Sequence, residues 1–113
     1  MSNAIPIFAN PGQTVRLTVQ VLDGYGNRSD GYVPQVTKVF FPDLSIAAGY
    51  PQAMTRIDVG LYVHGLVIPT GPESLGTFVA SVQSQVVGTG APDWQVFSIQ
   101  VARPFGNSSV SPL

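Results

Sequence analysis

MTRIDVGLYVHGLVIPTGPESLGTFVASV, residues 54–82, is the stretch on which the fold turns. It reads as strand, turn, strand, loop, strand. Gly60 marks the first turn, Thr70, Gly71 and Pro72 break the chain, and Gly76 opens the last run. In that run Phe78, Ala80 and Val82 alternate with Thr77, Ser81 and Gln83, the two-residue period of a half-buried strand. Residues 61–68 are apolar at almost every position, which predicts a strand covered on both faces or lying at a subunit contact. Nothing in the stretch has the make-up of a catalytic centre.

The chain on either side has the same punctuation. Residues 5–8 are a short extended piece, in which Pro6 removes a ladder donor and suits an edge strand or an arm. Asn10, Pro11 and Gly12 turn the chain. Residues 15–22 alternate cleanly, with Val15, Leu17, Val19 and Val21 inward and Arg16, Thr18 and Gln20 outward. Asp23, Gly24, Tyr25, Gly26 and Asn27 are dense in turn residues, and the exposed loop runs on to Gly31. In residues 36–41 an outward Lys38 places Thr37, Val39 and Phe41 on the core face. Pro42 and Asp43 end that strand, and residues 44–51 form a turn or a short edge piece. Residues 53–57 pair forward across Gly60 into 61–68. Their facing stays open, because Met54 and Arg56 share one side and Thr55 and Ile57 the other.

After the run that Gly76 opens, residues 86–92 make a hairpin loop, and 93–102 return with Phe97, Ile99 and Val101 inward. No helical pattern of useful length occurs. Six or seven short strands at near-regular spacing predict an all-β fold, an antiparallel β-sandwich. The expected core is Val15, Leu17, Val19, Val21, Val39, Phe41, Tyr62, Phe78, Ala80, Val82, Phe97 and Ile99. A buried Tyr62 would need a partner for its hydroxyl or an end-on route to solvent. The length of 113 residues is close to the commonest domain size, and there is neither an internal repeat nor a second domain in the pattern.

Composition narrows the function. Hydrophobic residues make up 44% of the chain and charged ones only 10%, against roughly 25% in soluble domains at large. A surface built from Ser, Thr, Gln, Asn and Gly docks against neighbours without stripping water from many ions, which favours life in an assembly. Five basic against six acidic residues provide no basic stripe, so no nucleic-acid partner is expected. No cysteine is present, which excludes disulfides and thiolate metal sites. The opening MSNAIPIFANPG lacks a basic segment followed by an apolar run, so no secretory signal is read there. No apolar stretch approaches the roughly 20 residues that span a bilayer, and no membrane partner is expected.

Candidate chemistry is thin. His64 is the single histidine, and the carboxylates (Asp23, Asp30, Asp43, Asp58, Glu73, Asp93) are scattered. His64 is therefore read as a strand residue holding a local hydrogen bond, not as a metal ligand or catalytic base. The many serines have no Gly-x-Ser-x-Gly elbow to position a triad. Asp23, Asn27 and Asp30 could offer oxygens to calcium, but the EF-hand spacing and its closing Glu are missing; an Asx-stabilised turn is the plainer reading. The glycines at 88 and 90 precede no helix and make no phosphate cradle. No catalytic, cofactor or metal residue is expected, and the protein is read as a non-enzyme. Tyr25, Tyr32, Tyr50, Trp94 and Phe105 are placed in loops or at strand ends. There they either cap the domain or meet a partner, with protein contact ahead of sugar stacking for Trp94 and Phe105.

Several of these residues also carry a resemblance. Pro11-Gly12-Gln13-Thr14-Val15 leads an alternating strand, and Asp23-Gly24-x-Gly26-Asn27 follows it. Met54-Thr55-Arg56-Ile57, Gly60-Leu61-Tyr62, Ile68-Pro69 and Gly76-Thr77-Phe78 come next. Over roughly residues 8–82 the chain resembles the small immunoglobulin-like modules of tailed-bacteriophage virion proteins. The same punctuation also occurs in bacterial surface immunoglobulin-like repeats and in a macroglobulin domain type. The resemblance implies an immunoglobulin-like β-sandwich without chemistry of its own. It also implies a capsid decoration or accessory protein, assembled into the virion in the host cytoplasm and bound to capsid or tail subunits. Such a protein would be present in many copies or as a homo-oligomer, clamping its neighbours. The alternative is an immunoglobulin-like surface module that binds a host glycan or receptor.

The two ends of the chain suggest how it attaches. Residues 1–11 are read as an N-terminal arm or edge strand, 12–102 as the sandwich and 103–113 as a C-terminal arm. Ile5, Ile7 and Phe8 at one end, and Phe105, Val110 and Leu113 at the other, are isolated apolar anchors. With Trp94 they form the expected interface set. Pro6, Pro104 and Pro112 keep these segments extended, so both arms are expected to order against neighbouring chains, by adding to an open sheet edge or filling a groove.

Overall fold

The computed structural model describes residues 5–71 and 74–102. Among them there is no α-helix, and eight strands form two sheets. In chain order these are β1 (Ile5–Ala9), β2 (Thr14–Gln20), β3 (Gln35–Phe40), β4 (Gln52–Ala53), β5 (Thr55–Asp58), β6 (Leu61–Val67), β7 (Gly76–Val86) and β8 (Ala91–Val101). The larger sheet has the order β1-β8-β7-β3-β4 and the smaller one β2-β6-β5.

The spine of the larger sheet is the β7–β8 hairpin, paired residue for residue from Gly76↔Val101 to Val86↔Ala91. Its alternation is the one visible in the sequence. Phe78, Ala80 and Val82 on β7 and Phe97, Ile99 and Val101 on β8 turn inward and are buried. The loop is tighter than the seven residues expected, because Gly88 and Gly90 both take positive φ and close it within residues 87–90. Across the core β2 presents Val15, Leu17 and Val19, and β6 presents Tyr62 and Leu66. These side chains and the inner face of the larger sheet form one apolar cluster.

Four expectations need correcting. The pairing is not all antiparallel: β1 runs parallel to β8, from Ile5↔Phe97 to Ala9↔Val101. The turn after β1 carries the chain across to the other sheet, so β1 and β2 never pair, and the whole intervening chain serves as the crossover a parallel pair needs. On β3 the period slips. Val36 pairs with Val82 and Lys38 with Ser81, leaving Thr37 as the extra residue of a β-bulge, its hydroxyl donating to the Ser81 carbonyl at 3.0 Å. Val36 and Val39 are therefore the buried residues of this strand, Thr37 is not in the core, and Phe41 is only half-buried at its end.

The third correction concerns residues 53–57, which do not make one strand. Gln52–Ala53 pairs with β3 in the larger sheet, and Thr55–Asp58 pairs with β6 in the smaller one. Met54 is the residue between them. It is buried and anchored by its N–H to the Pro34 carbonyl at 2.9 Å. A strand that changes sheets at one residue has no single facing, which is why the pattern there was unreadable. Fourth, β6 is not covered on both faces: Val67 is 67% exposed while Tyr62 and Leu66 are buried.

Ser84 continues the inward row of β7 and is fully buried, and its hydroxyl has no hydrogen-bond partner among the described residues. A buried unpaired hydroxyl costs about 1–3 kcal/mol. Ser84→Ala is accordingly expected to raise the unfolding free energy by about 1 kcal/mol in a urea titration; a loss of that size would show that the hydroxyl is satisfied.

Candidate functional site

Three places on this frame gather functional groups: a polar clasp, an apolar groove and a loop pocket. A broad sheet face adds a fourth surface.

The clasp sits where the loop after β2 meets the β5–β6 turn. Asp30 accepts from the Gly60 N–H at 2.8 Å through Oδ1 and pairs with Arg56 at 3.0 Å through Oδ2. Buried Tyr62, on β6, lies beside this carboxylate. Arg56, then the Gly60 amide, hold the Asp30 carboxyl below its ordinary range, and burial pushes the Tyr62 hydroxyl up. Arg28 and Asp58 flank the clasp as a looser, exposed pair at 3.9 Å.

The loop pocket lies at the same end, a hollow of about 560 Å³ bordered by Asp23, Tyr25, Ser29 and the 87–89 turn. Asp23 is the organiser of its loop: Oδ1 accepts from the Tyr25 N–H at 2.8 Å and the Asn27 N–H at 3.0 Å. That is an Asx turn. Asp30 faces away toward Gly60 and Arg56, so the two carboxylates do not converge. No cluster of three or more His, Asp or Glu residues is present among the described residues.

The groove lies on the opposite flank and holds about 310 Å³. Its lining is aliphatic, aromatic, Gly and Pro, with Tyr50, Gln52 and His64 as the polar side chains. Phe41 and Phe78 make part of the wall, edge to face with centroids 5.5 Å apart. His64 Nε2 and the Tyr50 hydroxyl share a hydrogen bond of 2.9 Å, the rings also meeting edge to face. Burial pushes the His64 ring below its ordinary value and the Tyr50 hydroxyl above, so at neutral pH both are uncharged. No serine or carboxylate borders this groove among the described residues, so His64 has neither a nucleophile nor an acidic partner there.

One wall of the groove is backbone. Ile68 donates to the Gln13 carbonyl at 2.9 Å and accepts from the Gly12 N–H at 3.0 Å. Even-numbered residues along β6 thus aim their amides and carbonyls at β2, and odd-numbered ones aim the other way. On that other side β5 reaches only as far as Thr55↔Val63 before the chain leaves at Met54. Gly65 and Val67 keep two donors and two acceptors that face no strand among the described residues.

The outer face of the larger sheet is the fourth surface. Trp94, Val96, Ser98 and Gln100 on β8 lie beside Gln83, Ser81, Val79 and Thr77 on β7, and Phe40 pairs with Val79. Lys38 is its one charged side chain among the described residues. Phe8 joins this face from β1 and is 79% exposed, while Ile5 is exposed at the inner edge and Ile7 packs against the core. Ile5, Ile7 and Phe8 therefore belong to an edge strand of the sheet. Trp94 lies within β8, on this face and not in a loop, at 46% exposure. Phe105, Val110 and Leu113 lie outside the described residues. Among the described loop aromatics Tyr25 is the one fully in solvent; Tyr32 and Tyr50 pack against the core. The groove and its open backbone edge were missed in the sequence, since they arise from where β5 ends and not from any residue type. Comparison with protein-family models, curated proteins and solved structures finds no match for the chain.

The clasp gives a pH signature. Because the folded state holds Asp30 below its usual value, this stabilisation is complete above about pH 4 and is lost as pH falls through the lowered value. Asp30→Asn is expected to lower the melting temperature at pH 7, and the gap to the unsubstituted protein should narrow steadily below pH 4. A gap independent of pH would assign the loss to packing instead.

Proposed function

We propose that this chain is a non-catalytic docking module with an immunoglobulin-like β-sandwich fold, and that it serves as a structural subunit of a tailed-phage virion. Strand order supports the fold. Read as lettered strands, β2 to β8 follow the sequence B, C, C′, D, E, F, G. They sort into C′-C-F-G and B-E-D sheets as in variable-type domains, with β1 added beside the last strand.

The observation that carries the functional reading is the contrast between surfaces. The polar clasp uses Arg28, Asp30, Arg56 and Asp58 on one another, while the five-stranded face exposes Phe8 and Trp94 among Ser, Thr, Gln and Val around a single Lys. A nearly uncharged flat face is cheap to desolvate and adds buried area to a joint between subunits. Its mechanism is covering and clamping, with no reaction. The single histidine, tied to a tyrosine in an apolar groove, fits that reading better than an enzymatic one.

A second reading rests on the loop pocket, where Tyr25 is 91% exposed beside Asp23, Ser29 and Thr89. An aromatic platform next to hydrogen-bonding groups suits a sugar ring. Mass spectrometry of purified virus particles from the source culture decides between them. The structural reading expects the chain at many copies per particle, and Trp94→Lys or Phe8→Lys should reduce incorporation without changing the melting temperature. Absence from particles, together with glycan-array binding that Tyr25→Ala abolishes, would replace it with the surface-recognition reading.

A further inference from the structure

We infer that the groove beside β6 is the receptor for the C-terminal segment, residues 103–113, of a second copy of this chain, which adds a short strand to the open edge at Gly65 and Val67. This deepens the proposed function and rests on its premise that the chain works in several copies.

The edge itself defines the kind of ligand. Gly65 and Val67 present donor and acceptor pairs at the spacing of a strand, and β5 stops at Thr55, opposite Val63. Extended backbone is the chemistry that satisfies such a row. Side chains alternating off that backbone would enter a groove of about 310 Å³ walled by Phe41, Leu66 and Phe78. A second hollow of about 260 Å³, sharing Phe41, Pro69 and Phe78, continues it toward Ser74 and Asp43. Asp43 is the one carboxylate on this lining among the described residues; its partner Ser45 holds its carboxyl low, so it is anionic at neutral pH.

The segment 103–113, RPFGNSSVSPL, matches these walls. Arg103 is its one charge and complements Asp43. Its interior, from Ser108 to Ser111, has neither proline nor charge, and Val110 is flanked by small serines that a narrow groove admits. Eleven residues reach at most about 36 Å when extended, enough to cross to a neighbour and lie along three or four residues of its edge.

The chain's own groove is the poorer destination. Ala102 is tied by its N–H to the Ala9 carbonyl at 3.3 Å, at the foot of β8, on the far side of β7 from the groove. Its own β6 lies beyond β7 and β3, across the core in the smaller sheet. A tail from one copy in the groove of the next is a heterologous contact, which propagates into rings or chains.

Mixing two full-length variants tests this directly. Val110→Asp spoils the tail and keeps the groove; Val67→Pro removes an outward-facing donor and leaves the β2 ladder its bonds. In sedimentation equilibrium the unsubstituted chain should form dimers and larger species as concentration rises, each variant alone should stay monomeric, and their equimolar mixture should stop at dimers. Amide exchange at Gly65 and Val67 should slow about tenfold or more as the oligomer forms. Should Val67→Pro fail to fold, a free peptide of residues 103–113 added to the unsubstituted chain must dissociate the oligomers. A chain that is monomeric throughout, protection of Gly65 and Val67 that ignores concentration, or variants that still associate would each overturn the inference. If the chain is nevertheless abundant in particles, the virion reading stands and only the groove assignment falls.

Discussion

Gly60 is the point at which two loops and two strands close on one another. Its φ is +63°, and a Cβ there would stand 2.6 Å from the Ser29 amide nitrogen and 2.8 Å from the Val21 carbonyl oxygen. No other residue fits that gap. The contact works in both directions: Gly60 donates to Asp30 at 2.8 Å, and its carbonyl accepts from Val21 at 2.8 Å. Through it the end of β2 is stitched to the start of β6, and Asp30 is brought onto Arg56. Buried Tyr62 lies beside this arrangement, where burial and then the Asp30 charge keep its hydroxyl protonated. The four charged side chains of the clasp, Arg28, Asp30, Arg56 and Asp58, are thereby committed to each other.

How much of this the sequence disclosed depends on whether a residue's role is set locally. Strands β2, β7 and β8 were legible because each alternates along the part that faces the core, and their inward residues are buried as read. Thr37 and Ile57 were not legible. Each is the extra residue at a register slip, and a slip of one residue reverses facing beyond it. Met54 failed for a related reason, since it changes sheets and pattern arguments assume that a run stays in one. His64 was read as holding a local hydrogen bond, and it does so with Tyr50, a partner that only the path of residues 44–51 supplies. Trp94 was assigned to a strand end or loop because the hairpin was drawn too long; two positive-φ glycines shorten it.

The candidate surfaces divide in the same way. The exposed anchors on β1 were visible as apolar residues around a proline, with arm and edge strand equally open; the parallel register with β8 makes them an edge. The low charge of the five-stranded face follows from composition, but its concentration on one face follows from topology, because among the described residues only Lys38 and Asp93 of the charged side chains lie on strands of the larger sheet, and only Lys38 on its outer face. The groove was invisible, being a property of a strand that is absent from a position rather than of a residue that is present.

The edges argue most strongly that this absence has a purpose. An unpaired strand is an invitation to any other chain, and proteins blunt such strands with proline, charge, bulges or brevity. Here β1 carries Pro6 as its second residue, β4 is two residues long, β5 has Arg56, Asp58 and a bulge, and the long edge strand β2 bears Arg16. Every outer strand is protected by one of the known devices. The flank of β6 at Gly65 and Val67 has none. It has no proline, no charge and no bulge, and its single glycine admits a close backbone approach with only the Thr14 methyl near its Cβ position, at 3.4 Å. The flank of β8 from Ala91 to Val96 also extends beyond the end of β1, but it carries Pro92 and Asp93, so among the described residues the unguarded flank that adjoins the apolar groove is that of β6 at Gly65 and Val67. Selectivity of that kind comes from closing the alternatives as much as from improving the chosen contact.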